Sequence, residues 1–295
     1  MPAIRHLFAR GARKMAALLD RAPSPPAPRA PAPSLPPGKT HEAIAPGLLA
    51  SPGVEIGAFK TPIPGITPIQ VDLLAEFARE PTLAEYMGSA IDLPFEDSSL
   101  NYVASSHVIE HVANPLAAFQ EWYRVLRHGG VIYMVVPDRR LTFDRGRPLT
   151  TVEHLIDDYR KNTTPCDGTH IEDLVFNADW SELFPETPEA DVPHHQQDLC
   201  AVYKRAVAAG EELNIHFHTY QPATMVALID RANEILPLGG GSIDLMRVET
   251  FFPDDRRDGF LVVATIRKPG PMPVFASPEA IFRAGAVKFE RDARA

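Results

Sequence analysis

The chain is short of cysteine, of long apolar runs and of positive charge. Its 295 residues include two cysteines, Cys166 and Cys200. Two are too few for a disulfide framework, and the paired CxxC spacing of common zinc sites is absent. No apolar run approaches the ~20 residues that a membrane-spanning helix needs. With 29 basic against 38 acidic residues the formal charge is -9, which argues against the basic domain of a dedicated nucleic-acid binder. Proline is the exception to this scarcity: there are 30, roughly twice the usual frequency. A hydrophobic content of 45% is enough for a core. The expectation is a globular protein of the cytoplasm that makes no contact with nucleic acid.

The charge is unevenly spread. Residues 1–40 carry +6 and the remainder -15. In the basic segment Ile4, Leu7, Phe8, Met15, Leu18 and Leu19 recur at helical spacing, and Arg5, Arg10, Arg13 and Lys14 lie largely on the other side, the pattern of an amphipathic surface helix. Residues 22–37 hold eight prolines and read as an extended linker, so residues 1–40 are expected to be disordered. Three readings of this tail stay open: no specific role, contact with an anionic membrane or a partner through residues 2–20, or an organelle presequence.

The body, residues 41–268, reads as α/β. Apolar runs at 53–58 (GVEIGA), 68–72 (PIQVD), 101–108 (NYVASSHV) and 131–138 (VIYMVVPD) suit parallel strands buried on both faces. Asn114 as N-cap and Pro115 in the first turn start a helix whose apolar face is Leu116, Phe119, Trp122, Tyr123 and Leu126, and the pair Gly129-Gly130 is expected to end it. A second helix is expected over 222–235. Strands at 242–252 and 259–267, joined by a polar turn, should form an antiparallel edge hairpin. Residues 139–218 are an insert that this core does not need, and 269–295 read as a flexible tail.

Three segments in order, LPFEDSS at 93–99, SSHVIEH at 105–111 and RVLRHGG at 124–130, resemble the second half of a class I S-adenosylmethionine-dependent methyltransferase domain of the methyltransferase type 11 kind. The resemblance implies a Rossmann-like, mostly parallel sheet with a reversed last strand, and S-adenosylmethionine as cofactor. It implies that Gly57, Ala58 and Phe59 form the turn after the first strand, preceded by Glu55, and that Asp72 accepts the ribose hydroxyls. Ser89, Ala90 and Ile91 would border adenine, and Ser105 and Ser106 would face the methionine end. The turn, EIGAFKTP, has one glycine where the family has two or three, and the nine residues 59–67 hold two prolines and a glycine, leaving no room for a full helix. The activity implied is methyl transfer, expected at oxygen of a small-molecule or saccharide acceptor. The alternative is a non-catalytic binding or scaffold protein on the same fold.

An oxygen nucleophile needs a base. His107 is the first candidate, then His111 beside Glu110, and Asp138 at the end of the next strand. In the insert, His216 and His218 would share one face of a strand, and His154 and Asp158 one face of a helix. Both geometries suit metal ligands, but the same alternation describes an ordinary edge strand, and no metal is assigned. His194 and His195 read as loop. Arg139, Arg140, Arg145 and Arg147 either grip an anionic group on the acceptor or pair with Asp138, Asp144, Asp157 and Asp158.

Overall fold

The computed structural model describes residues 39–77 and 80–289. The amphipathic segment, the whole proline linker at 22–37 and residues 290–295 lie outside the described residues. Among the described residues no helix is long and apolar enough to cross a membrane.

Seven strands form one sheet: β1 (Gly53–Ile56), β2 (Ile69–Asp72), β5 (Tyr86–Met87), β6 (Leu100–Ser106), β7 (Leu126–Pro137), β8 (Ser242–Phe252) and β9 (Gly259–Arg267). Their order is β5-β2-β1-β6-β7-β9-β8. The first five are parallel, and β9 runs antiparallel between β7 and β8. A small pair, β3 (Glu76–Phe77) and β4 (Glu80–Pro81), stands apart. This is the expected Rossmann-like sheet with an antiparallel edge pair.

Alternation along the central strands feeds two cores. Ile132, Met134 and Val136 of β7 and Val262, Ala264 and Ile266 of β9 pack with α2 (Pro115–Val125) and α7 (Pro222–Ile235). Val131, Tyr133, Val135, Leu261 and Val263 turn to the other face, under α1 (His41–Leu48). Both faces are therefore covered, which is why these strands are apolar throughout. Asn114 caps α2 as expected, its side chain accepting from the Ala117 amide at 3.1 Å. The sequence gives no clear signal for α1, which contains Pro46; the Thr40 side chain caps it and Ile44 and Ala45 are buried.

Two of the family-like segments form a clamp. Arg124 donates to the Phe95 carbonyl at 2.8 Å and to Asp97 at 2.8 Å, and Glu121 accepts from the Leu93 amide at 2.6 Å. Through Arg124, RVLRHGG holds LPFEDSS in place. Gly129-Gly130 does not stop the helix. Helix α2 ends at Val125, and the glycines lie in a bulge of β7, where register slips between the Leu100 and Tyr102 pairings.

The insert has its own core of Ile171, Val175, Trp180, Leu213, Ile215 and Phe217. It holds α3 (Val152–Lys161), α4 (Ile171–Asn177), α5 (Trp180–Leu183) and α6 (Val192–Ala208). His194 and His195 begin α6 rather than a loop, since Pro193 suits a first turn. The expected strand around His216 does not form: residues 211–219 have no partner strand and run as extended chain.

The expected flexible C-terminal tail is docked in its described part. The amide of Met87 donates to the Val287 carbonyl at 2.8 Å and that of Phe289 to the Glu85 carbonyl at 2.9 Å. Phe282 stacks on Tyr86, with ring centroids 4.3 Å apart, and lies 5.1 Å from Phe95. Mixed charge hid a few apolar anchors at wide spacing. Phe282→Ala should lower stability by roughly 2 kcal/mol, about half the cost of emptying a fully buried phenylalanine site, measured by urea denaturation.

Candidate active site

The register of neighbouring strands fixes the candidate site. Ile56 lies opposite Val71 of β2 and opposite Ser105 of β6. The next residues, Gly57, Asp72 and Ser106, therefore share one edge, and Asp72 pairs with Met87, just before Gly88 and Ser89. The chain leaves β1 on the β2 side and later returns to pair β6 on the other side. This edge is the carboxyl end of the strands at the topological switch point, where open α/β sheets bind ligands.

Gly57 is required at its position. Its φ is +67°, and a Cβ there would lie 2.9 Å from Val108 Cγ2. Ala58 follows, and Phe59 also has a left-handed backbone, φ 48°, with its carbonyl accepting from the Leu83 amide at 2.8 Å. The Asp72 carboxyl accepts a long bond, 3.4 Å, from the Leu74 amide, and burial pushes its pKa up. Ser89 and Asp92 exchange backbone bonds of 3.0 and 3.2 Å. Ala90 is buried. Ile91 is 41% exposed and lines a cleft of about 530 Å³ with Ala117, Gln120 and Tyr159, a cleft that neither Gly57 nor Asp72 lines. Ser105 Oγ is buried with no hydrogen-bond partner.

Glu55 stands two residues before Gly57, where the resemblance puts it, and both its carboxyl oxygens are engaged within the fold. It is buried in β1, accepting from the Ile63 amide at 2.8 Å and from Gln70 Nε2 at 2.9 Å, and burial raises its pKa despite both bonds. Each oxygen already accepts one bond from the fold. Glu55 thus anchors the loop 59–67 that replaces a helix between β1 and β2.

The candidate bases gather one residue beyond that edge. His107 takes φ 55°, and its Nε2 lies 3.5 Å from Asp258 Oδ1, with Nδ1 3.8 Å from Glu110 Oε1. These are charge contacts, too long for well-made hydrogen bonds. Burial depresses the His107 pKa, but Asp258 and Glu110 outweigh it and the net shift is upward. Asp258 moves down despite burial, because His107 and Arg256 favour its charge. Glu110 is fully buried, and neither carboxyl oxygen has a hydrogen bond. Its Oε1 also lies 3.9 Å from His111 Nε2 and 3.9 Å from His216 Nε2. Burial lowers the His111 pKa, favouring a neutral ring, which meets His216 edge-on at 4.6 Å.

Asp138 is not part of this group. It is buried, and its carboxyl takes a bidentate contact from Arg140, Nε to Oδ1 2.9 Å and Nη2 to Oδ2 2.5 Å. That pairing removes it as a base. The other arginines of the cluster are also spent within the fold. Arg147 is fully buried between Asp144, at 2.8 Å, and Asp173, at 2.8 Å; Arg145 meets Asp179 at 2.8 Å and also Glu182. Arg139 donates to the carbonyls of Arg145, at 2.9 Å, and Arg147. Asp144 in turn holds His216 Nδ1 at 2.7 Å. His216 and His218 do not share a site, because the latter turns to Asp158 at 3.0 Å.

Sequence reading missed Asp258 and His216 as members of the group around Glu110. Asp258 looked like a turn residue, and only the pairing of Pro137 with Gly259 carries it to the end of β7. Glu55→Ala should strip the Ile63 amide of its partner. The expected cost is about 1–3 kcal/mol, with faster hydrogen exchange at Ile63 while exchange in β7 changes only as global stability does.

Residues 66–134 match the family model of a methyltransferase domain. Over 70 residues the chain is 39% identical to a Mycolicibacterium smegmatis protein described as a probable S-adenosylmethionine-dependent methyltransferase, covering 24% of this chain and 27% of that protein. Over 100 residues it is 32% identical to an uncharacterized 37.1 kDa protein from transposon TN4556 of Streptomyces fradiae, covering 31% and 29%. The matches span under a third of those relatives. Among solved structures, an S-adenosylmethionine-dependent methyltransferase of Methanosarcina mazei aligns at 16% identity over 77% of this chain and 98% of its own, with a TM-score of 0.42. A Thermotoga maritima methyltransferase, described as a possible histamine N-methyltransferase, aligns at 17% identity over 78% and 88%, with a TM-score of 0.40. Residues 66–134 are thus similar to a methyltransferase domain, and they lie within a mostly parallel, Rossmann-like sheet.

Proposed function

We propose that the chain transfers a methyl group from S-adenosylmethionine to an oxygen of a small-molecule or saccharide acceptor, with His107 as the base. The observation that supports this reading is the adjacency of two functions at one strand end. Ser106 shares the edge of Gly57 and Asp72, and the next residue, His107, meets Asp258 and Glu110.

The residues at the edge fit an adenosyl ligand. Gly57 offers a turn that a Cβ would obstruct. The Asp72 carboxyl, which accepts a long bond from the Leu74 amide, would accept the ribose hydroxyls. Ser89, Ala90 and Ile91 would border adenine. The orphaned Ser105 hydroxyl and Ser106 would face the methionine end. S-adenosylmethionine, when bound, supplies a methyl group already activated on a sulfonium. The protein is left to align the acceptor and to take its proton.

Asp258 holds the Nε2 side of His107. Nδ1 is then the nitrogen that takes the acceptor's proton, and the imidazolium so formed is stabilised by the Asp258 carboxylate. His111 and His216 brace Glu110 from its other sides and act as positioning residues. Proton transfer to His107 is the step that this chain's own side chains supply.

Two outcomes test this. Asp72→Ala should weaken S-adenosylmethionine and S-adenosylhomocysteine binding at least a hundredfold by calorimetry and leave the melting temperature near that of the parent. Unchanged affinity would show that the ribose is held elsewhere. Because the His107 pKa lies above the ordinary histidine value of 6.5, kcat should rise with pH along a limb centred above that value. Asp258→Asn should move the limb to lower pH and lower the plateau, and His107→Ala should cost about 10²–10⁴-fold in kcat.

A further inference from the structure

Away from the strand edge, three imidazoles and one carboxylate converge inside the insert. His154 opens α3 and Asp158 follows one turn later, so both lie on one face, with Nε2 to Oδ2 3.2 Å. His170, just before α4, brings its Nε2 to 2.9 Å from that of His154 and 3.7 Å from Asp158 Oδ2. His218, from the extended chain leading to α7, places Nε2 3.0 Å from the same oxygen. The four donor atoms all lie within 4.8 Å of one another.

Four of the separations lie between 2.9 and 3.7 Å, lengths that suit the edges of a small tetrahedron. Zinc bound to nitrogen and oxygen at about 2.0–2.2 Å puts neighbouring ligand atoms roughly 3.3–3.5 Å apart, in the middle of the observed spread. Hydrogen bonding alone accounts poorly for the arrangement. One oxygen, Asp158 Oδ2, is faced by three imidazole nitrogens, and two of those nitrogens face each other. At most one of a facing pair can carry the proton between them.

The surroundings fix the donors in place. Thr163 donates to the other Asp158 oxygen at 2.9 Å, and Thr169 Oγ1 lies 3.1 Å from His170 Nδ1. Such outer contacts set the tautomer and orientation of metal ligands. Asp158, His170 and His218 are buried and His154 is the solvent-facing member. Four protein donors leave no open position, which marks a structural site and not a catalytic one.

We propose that His154, Asp158, His170 and His218 bind one divalent transition ion, zinc by its donor set, and that this ion ties α3, α4 and the chain leading to α7 into one unit. The site is separate from the group around Glu110 and does not depend on methyl transfer.

The full chain, stripped with a chelator and dialysed, is titrated with zinc chloride and with cobalt chloride. The expected result is one ion per chain by elemental analysis, a rise in melting temperature that chelator reverses, and the intense visible absorption of tetrahedral cobalt. His170→Ala and His218→Ala should lose the cobalt band. His154→Ala, at the exposed corner and so the variant most certain to fold, should weaken zinc affinity at least tenfold. His194→Ala and Glu110→Gln should retain full stoichiometry. No cobalt band and no thermal shift with the parent chain would overturn the proposal. So would a band that survives in a folded His154→Ala,His170→Ala double variant, or one that disappears with Glu110→Gln instead.

Discussion

A carboxyl group buried without a hydrogen bond is among the most expensive things a fold can contain, and the architecture here is arranged around one. Glu110 follows β6 by four residues and is fully buried. His107 comes from its own turn, His111 from its neighbour and His216 from the far end of the insert. Its carbonyl also accepts from the Phe217 amide at 2.7 Å. Sheet and insert are therefore joined at this residue twice, once through backbone and once through charge. The β8–β9 turn joins a step further out, through Asp258 and His107.

The chain substitutes a buried acid for a missing helix. Between β1 and β2 runs a loop with two prolines and a glycine, too short and too broken for a full helix. A loop with little internal hydrogen bonding must be held by something else. Glu55 does this by accepting from Ile63 inside the loop and from Gln70 on the next strand. The single glycine of the turn is then free to serve the edge alone, and the acid that ordinarily belongs to the motif serves the scaffold.

What was legible in the sequence was local. The apolar strands, the Asn114 cap and the last two strands follow from periodicity and turn chemistry, and the edge holding Gly57, Asp72 and Ser106 follows once the strands pair. What was not legible depends on tertiary register. Asp258 gains its meaning only because β9 lies against β7, and Asp138 loses its candidacy only because Arg140 folds back on it. His216 and His218 are two residues apart yet serve different groups, since an unpaired extended segment can twist freely where a strand could not. The strap at 270–289 was hidden because two ring contacts of a single phenylalanine leave no periodic trace.

The position of β9 has a consequence for synthesis. It fills the gap between β7 and β8 although it is the last strand among the described residues. Until residue 267 has left the ribosome, β7 has an open apolar edge and β8 has no strand to join. The pairing also spans more than 120 residues of chain between Val131 and Thr265, a costly loop to close. The sheet therefore finishes late, as a zip between two waiting strands, and a chain truncated before β9 would leave the β7 edge open to pairing with other chains.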